Sequence, residues 1–393
     1  MKVAMLTTVG ERCGIAAYTR ALVAGLRTLP EMEVEVVPIT EGKQPTEHYL
    51  ALAESLNAPD VDVVHIQHEH SFWGSILPRQ SAYWEMRYLI QKPVVLTAHT
   101  TYSLAEMLKI GQERRPHKWL AKKLLLLNKK YRDSVEAAPF TTALTIVHTA
   151  AARAELIERG AKPEFVAVIP AGIPEPAPAP TEGRAFREKF GLGARRLVTV
   201  FGYIAYNKGY ELTLSILSQL PEDVTFVIAG GVRAADMEPY RAQLMQAIAQ
   251  SGQGERVLIT GYLSEEEIAE AMAASDLALV PHTQATGSYS VTIPLAHGKP
   301  VLASDLDCFR EIAARLPALE LFRANDAKDY LAHLQALLAD SARRERLSAE
   351  AKKYAQRYAW PKVAATTRNV YKRAIEVYTG GMHHPQVPVP PAV

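Results

Sequence analysis

In the first half of the chain, short apolar runs recur at 3–7, 34–39, 61–67, 94–97, 142–147 and 165–169. Between them lie stretches whose apolar positions repeat at helical spacing, among them 15–29, 44–56, 114–136 and 150–159. Runs this short, rich in Val and Ile and bounded by polar residues, read as strands covered on both faces. Their alternation with helices predicts βαβ units and a mostly parallel sheet.

The stretch PAGIPEPAPAPTE, 170–182, then holds five prolines, which excludes a helix and suits a semi-rigid linker. After it the alternation restarts, with strands expected at 197–201, 224–229, 257–260, 277–280, 301–304 and 319–322. Helices fit between them at 208–219, 235–250, 265–274, 289–297 and 309–314, and helical pattern fills 327–378. The expected fold class is α/β, with two Rossmann-like doubly wound domains facing across a cleft. In such folds ligands bind outside the C-terminal ends of the strands.

Composition narrows the function without fixing it. A chain of 393 residues exceeds what one core usually serves, and 48% hydrophobic with 22% charged residues is ordinary for a globular protein. The net charge of +2 supplies no global field toward nucleic acid, so no nucleic-acid partner is expected. Two cysteines far apart, Cys13 and Cys308, do not make a disulfide framework and fit a reducing, cytoplasmic setting. The N-terminal run MKVAMLTTVG reads as a first strand, and no run approaches the length of a spanning helix.

Candidate chemistry gathers at the loops after the strands. The segment TQATGSYSVTIPLAHGK, 283–299, passes from a strand through a hydroxyl-rich loop into a helix start, where unpaired N–H groups suit a phosphate. Lys208-Gly209, following Gly202-Tyr203, stands at another strand-to-helix corner, where an ammonium can meet a diphosphate or simply face water. The loop from Val9 to Ile15 carries Gly10 and Gly14 but is not G-x-G-x-x-G, which disfavours a dinucleotide. His65, His68 and His70 crowd around Glu69, with His99 after the next strand. Alternate strand residues point to opposite faces, so lining of a polar cleft is the preferred reading over a metal set. Asp305 and Asp307 form a D-x-D, a spacing common without a metal. The segment 114–132, RRPHKWLAKKLLLLNKKYR, places its lysines on one broad helical arc, a face for anionic lipid or equally for solvent.

Taken in order, these pieces resemble the family 4 glycosyltransferases of the GT-B fold. The matching stretches are CGIAAY from Cys13, VDVVHIQHEHSFWG from Val61, LTAHT from Leu96, TIVHTAAARAELIERG followed by VAVIPAGIPE, FGYIAYNKGYELTL, GKPVLASDLDCFREI and Tyr358-Ala359-Trp360. The resemblance implies domains at 1–175 on the acceptor side and 176–360 on the nucleotide-sugar side. A helix at 361–379 then crosses back to the first domain, and 380–393 form a disordered tail. It implies retaining, metal-independent transfer of a hexose from a nucleotide diphosphate sugar to a glycan, lipid-linked or polysaccharide acceptor. No cofactor is implied beyond that donor substrate; the basic arc of 114–132, read from the residues themselves, offers a peripheral contact with the inner face of a membrane or equally a solvated face. The implied catalytic residues are His99 and Lys208. Donor binding would fall to Gly14, Tyr203, Gly287, Ser288, Tyr289, Ser290 and Glu311, with His68 and Glu69 on the acceptor side. The chain departs from the family where Tyr203 stands for an arginine and where Ala285 and Ile293 stand for the E-x7-E carboxylates. A catalytically inactive binding or scaffold protein is the alternative.

Overall fold

The computed structural model describes all residues except 11–12, 43, 75–81, 102–119, 121–122, 125–141, 233–236 and 382–393. Most of the basic segment 114–132 and nearly all of the expected tail therefore lie outside the described residues. The chain divides into two compact units, one formed by residues 1–170 with 360–393 and the other by 171–359.

The first unit is built on six parallel strands, β1 (Lys2–Thr7), β2 (Glu33–Pro38), β3 (Val63–His68), β4 (Val94–Ala98), β5 (Leu144–Val147) and β6 (Val166–Val168). Their order in the sheet is β2-β1-β3-β4-β5-β6. The chain leaves β1 to one side for β2 and returns to its other side for β3, so the strand order reverses between β1 and β3. Every residue of β3 is buried, as a parallel strand covered on both faces requires. The closing helix, Trp360–Thr379, belongs to this unit and buries Trp360, Val363, Thr367, Tyr371 and Val377 along one face.

The second unit repeats the design with β7 (Arg196–Phe201), β8 (Val224–Ala229), β9 (Val257–Ile259), β10 (Leu277–Val280), β11 (Val301–Ser304) and β12 (Glu320–Phe322). The order is β12-β11-β10-β7-β8-β9, all parallel, with the reversal between β7 and β10. The helix Glu265–Ala274 starts where Ser264 and Glu267 cap each other's backbone reciprocally.

The proline-rich run is not a free linker. Ile173 N donates to the Tyr358 carbonyl at 2.9 Å, which ties 171–175 to the second unit and moves the boundary ahead of the expected residue 175. At its far end the buried Glu270 carboxylate accepts from Thr181 N at 2.8 Å, Thr181 Oγ1 at 2.6 Å and Gly183 N at 2.6 Å. Burial alone pushes that carboxyl up, and these donors outweigh it and hold it below its usual value. Two short helices, Tyr83–Arg87 and Arg184–Lys189, went unread in the sequence because five or six residues are too few to display a 3.6-residue period.

Candidate functional site

Because β7 and β10 are neighbours at the reversal of the second sheet, the loops leaving their C-terminal ends are brought together. Gly202 turns the chain after β7 with φ +115, and a Cβ there would lie 3.2 Å from Lys208 Nζ and 3.1 Å from Ser290 Cβ. After the turn Tyr206–Lys208, Gly209 adopts φ +71, and a Cβ would stand 1.9 Å from the Pro281 carbonyl oxygen. Both glycines are demanded by the approach of the two loops. Thr283 N donates to the Asn207 carbonyl and Asn207 Nδ2 to the Gln284 carbonyl, both at 3.0 Å, which stitches the loops further.

Into this corner Lys208 points its ammonium group. The residue is 8% exposed, and Nζ donates to Ser290 Oγ at 2.7 Å. Burial pushes its pKa from 10.5 to about 8. Among the described residues no carboxylate forms an ion pair with it. Ser290 Oγ lies 2.9 Å from Ser288 Oγ, which lies 3.2 Å from His282 Nε2. His282 is 2% exposed with its ring roughly perpendicular to that of Phe309 at 5.5 Å between centroids, and burial first, then the Lys208 charge, holds it well below its ordinary pKa.

The helix expected over 289–297 is divided into a 3-10 turn, Tyr289–Val291, and five α-helical residues, Thr292–Ala296. So short an element sums few peptide dipoles, and the site rests on the hydroxyls and the ammonium rather than on a helix N-terminus. Gly287 is exposed with open space around its α-carbon, and the Tyr289 carbonyl accepts from Thr292 Oγ1 at 2.7 Å. Tyr203 sits with its ring 6.1 Å from that of Tyr262. Glu311 pairs with Arg315 at 3.1 Å. Ala285 packs against the apolar cluster that includes Val291, Leu295 and Phe309. Asp305 and Asp307 both pair with Arg310, at 3.3 and 2.6 Å.

In the first unit the expected residues enter a buried polar string. Tyr371 Oη meets His65 Nδ1 at 2.7 Å, and His65 Nε2 meets Thr97 Oγ1 at 2.7 Å and Gln67 Nε2 at 3.3 Å. Gln67 Oε1 lies 2.8 Å from His99 Nε2, and His99 Nδ1 lies 3.4 Å from His148 Nε2. His148 Nδ1 donates to the Ile169 carbonyl at 2.9 Å. Burial takes His65 down to about 3 and lowers His99 and His148, so the rings are neutral near pH 7. A neutral His99 therefore donates from Nε2 to Gln67 Oε1, and its Nδ1 lone pair faces that of His148 Nε2 without a hydrogen bond between them. His68 is 3% exposed among His70, Trp73 and Tyr83. Glu69 accepts from His70 N at 3.0 Å and from Thr100 Oγ1 at 2.5 Å. Gly14 opens the helix Gly14–Arg27 with nothing within 4 Å of the position a Cβ would take.

Sequence reasoning missed His282, His148 and Gln67 as site residues. A histidine directly after the Val-Pro that ends β10 was the available signal for the first. Among the described residues no group of three or more His, Cys, Asp or Glu side chains is placed to hold a metal ion, and no helix is long and apolar enough to cross a membrane.

Two family models match the chain in tandem, Glycosyltransferase Family 4 over residues 14–175 and Glycosyl transferases group 1 over residues 184–354. A D-inositol 3-phosphate glycosyltransferase of Xylanimonas cellulosilytica is 30% identical over 224 residues, 55% of this chain and 53% of that protein. A 2-deoxystreptamine glucosyltransferase of Streptomyces kanamyceticus is 29% identical over 153 residues, 37% of this chain and 38% of that protein. The chain thus spans about half or less of the length of these curated relatives. Among solved structures, Anabaena HepE in complex with UDP and glucose superposes with a TM-score of 0.71 at 16% identity, covering 95% of this chain and 99% of that one. Sucrose-phosphate synthase from Thermosynechococcus elongatus gives a TM-score of 0.72 at 17% identity, covering 95% and 98%.

Proposed function

We infer from the tandem family models that the chain belongs to the glycosyltransferases of the GT-B fold, and on that premise propose that it moves a sugar from a nucleoside diphosphate donor to an acceptor. The observation that carries this reading is the Lys208 ammonium, buried at the strand-order reversal of the second unit with a serine and, among the described residues, no carboxylate beside it. A buried positive charge left without a counter-ion disfavours the empty protein and favours an anion. The diphosphate of a sugar nucleotide is such an anion, and its charge grows as the glycosidic bond to it breaks. A fixed ammonium there stabilises the departing diphosphate more than the bound donor, and this difference lowers the barrier.

On this reading the Ser288 and Ser290 hydroxyls add hydrogen bonds to the phosphates, and Gly287 leaves room for them. The roles of Tyr203, Tyr289 and Glu311 toward the donor, and of Gly14, His68, Glu69 and His99 in the first unit, follow from the family resemblance. So do a hexose as the transferred sugar, retention at its anomeric carbon, independence of a metal, and a glycan or lipid-linked acceptor. The basic segment 114–132 supplies a peripheral contact with an anionic cytoplasmic membrane face; loss of liposome flotation on neutralising its lysines tests that contact. HepE was crystallised with UDP, which makes uridine the first base to try.

Thermal denaturation with millimolar uridine, guanosine and adenosine diphosphates and their sugars tests the donor reading. A ligand at 100 times its Kd stabilises by about 2.7 kcal/mol, a readily measured shift. If none stabilises the protein, the reading fails. The absence of carboxylates at Ala285 and Ile293 favours a second reading, a binding protein without turnover, in which a nucleotide sugar is held but is neither transferred nor hydrolysed.

A further inference from the structure

The string Lys208–Ser290–Ser288–His282 can be resolved into donors and acceptors, and the count decides what it offers a ligand. Lys208 as an ammonium only donates, so Ser290 Oγ accepts from it across 2.7 Å. His282 at the other end is neutral and carries one ring proton. Among the described residues its Nδ1 is buried without a hydrogen-bond partner, and its Nε2 faces Ser288 Oγ at 3.2 Å. A proton on Nδ1 would leave a buried N–H with no hydrogen-bond acceptor among the described residues. A proton on Nε2 leaves only an unused lone pair there, and buried orphan N–H groups are the rarer and costlier of the two. The proton therefore resides on Nε2, and His282 donates to Ser288.

The string is then fed with donors from both ends. The two serines bring two hydroxyl hydrogens, and the 2.9 Å contact between their oxygens uses one. The second has no acceptor within the string, whichever serine carries it. With the opposite tautomer His282 would accept from Ser288, both hydrogens would be consumed, and the pair would present only lone pairs to an arriving anion. We propose that His282 is a positioning residue which, by donating from Nε2 to Ser288, turns one serine hydroxyl outward as a hydrogen-bond donor to the diphosphate. The inference rests on the donor reading above and adds a residue to it. It also explains why a histidine is kept in a pocket that burial makes inhospitable to charge: the ring acts as a neutral donor.

Isotope-edited NMR of the full chain carrying 15N-labelled histidine reads the tautomer directly, with His282→Gln supplying the assignment. The expected result is protonation at Nε2, and protonation at Nδ1 overturns the inference. Calorimetric titration with uridine diphosphate, or whichever diphosphate binds the wild type, supplies the functional arm. His282→Phe keeps an apolar ring against Phe309 and removes the donor; its Kd should rise about tenfold. His282→Gln, whose amide N–H can reach the Nε2 position, should stay within about threefold of wild type. In a Ser288→Ala, Ser290→Ala background, His282→Phe should cause no further loss. Should Phe not pack, His282→Leu removes the same donor. Unchanged binding by the donor-free variant overturns the inference, as does a loss of equal size with the serines already gone. Wild-type protein that binds no nucleoside diphosphate overturns the donor reading itself, and this inference with it.

Discussion

Replacing Lys208 by methionine should weaken ligand binding and strengthen the fold at the same time. Burial takes the lysine from 10.5 to about 8, and that difference is equivalent to about 3 kcal/mol against the charged form at neutral pH. The sign follows from proton counting. Between pH 8 and 10.5 the unfolded chain holds more protons than the folded one, so stability from this group rises with pH across that window. Below it the fold bears the full penalty. Methionine has a similar length and no charge, so it relieves that penalty but loses the hydrogen bond to Ser290, worth about 1–2 kcal/mol. The expected net gain at pH 7 is therefore about 1–2 kcal/mol in urea unfolding. Binding moves the other way, since losing a charge-assisted hydrogen bond to phosphate costs about 1.5–3 kcal/mol, or roughly 10- to 100-fold in Kd. The wild type should itself bind a nucleoside diphosphate about tenfold more weakly at pH 9 than at pH 7 as the lysine loses its proton, while the ligand's last phosphate proton, with a pKa near 6, has already gone. Calorimetric titration from pH 6.5 to pH 9.5, with Lys208→Met alongside, measures both effects. Wild-type affinity that is flat to about pH 9.5, or a methionine variant equal to wild type in both assays, would refute the argument that a buried, unpaired ammonium carries the site.

Gly209→Ala should lose more than about 3 kcal/mol in urea unfolding, since the left-handed backbone at φ +71 costs about 1 kcal/mol and the new Cβ overlaps the Pro281 carbonyl; a loss under about 1 kcal/mol would contradict the close approach of the two loops. Glu270→Ala should lose about 3 kcal/mol near pH 7, because three donors from Thr181 and Gly183 lose a buried carboxylate. Its carboxyl is held below 4.5, so this contribution is complete above that value and fades as pH falls through the folded pKa. The gap between wild type and variant should accordingly narrow in acid, and a gap independent of pH would remove the charge from the explanation.

Much of the architecture was legible in the chain itself. Parallel strands covered on both faces must be apolar almost throughout, so runs such as VTFVIA at Val224–Ala229 stand out, and all of its residues are buried. The corners were legible too, because a left-handed backbone with little or no room for a Cβ at Gly202 and Gly209 favours glycine. The helix over 289–297 was over-read, since apolar spacing continues through a 3-10 turn as readily as through α-helix. His65 was visible as one of a histidine group, yet its partner Tyr371 stands 306 residues away, and local pattern carries no information at that range.

Sequence by itself determined the elements, their alternation and the residue types available at each loop, because these depend on local sterics and on the period with which side chains meet a core. Tertiary structure alone decided which loops meet. The reversal that seats β7 beside β10 brings Lys208 to Ser290 across 82 residues and, among the described residues, leaves its charge without a carboxylate partner there. It also encloses His282, so that the position of one ring proton follows from what the pocket can and cannot satisfy. Strand order is a global choice among packings of equal local quality, and the hydrogen-bond count at the site exists only after that choice has been made.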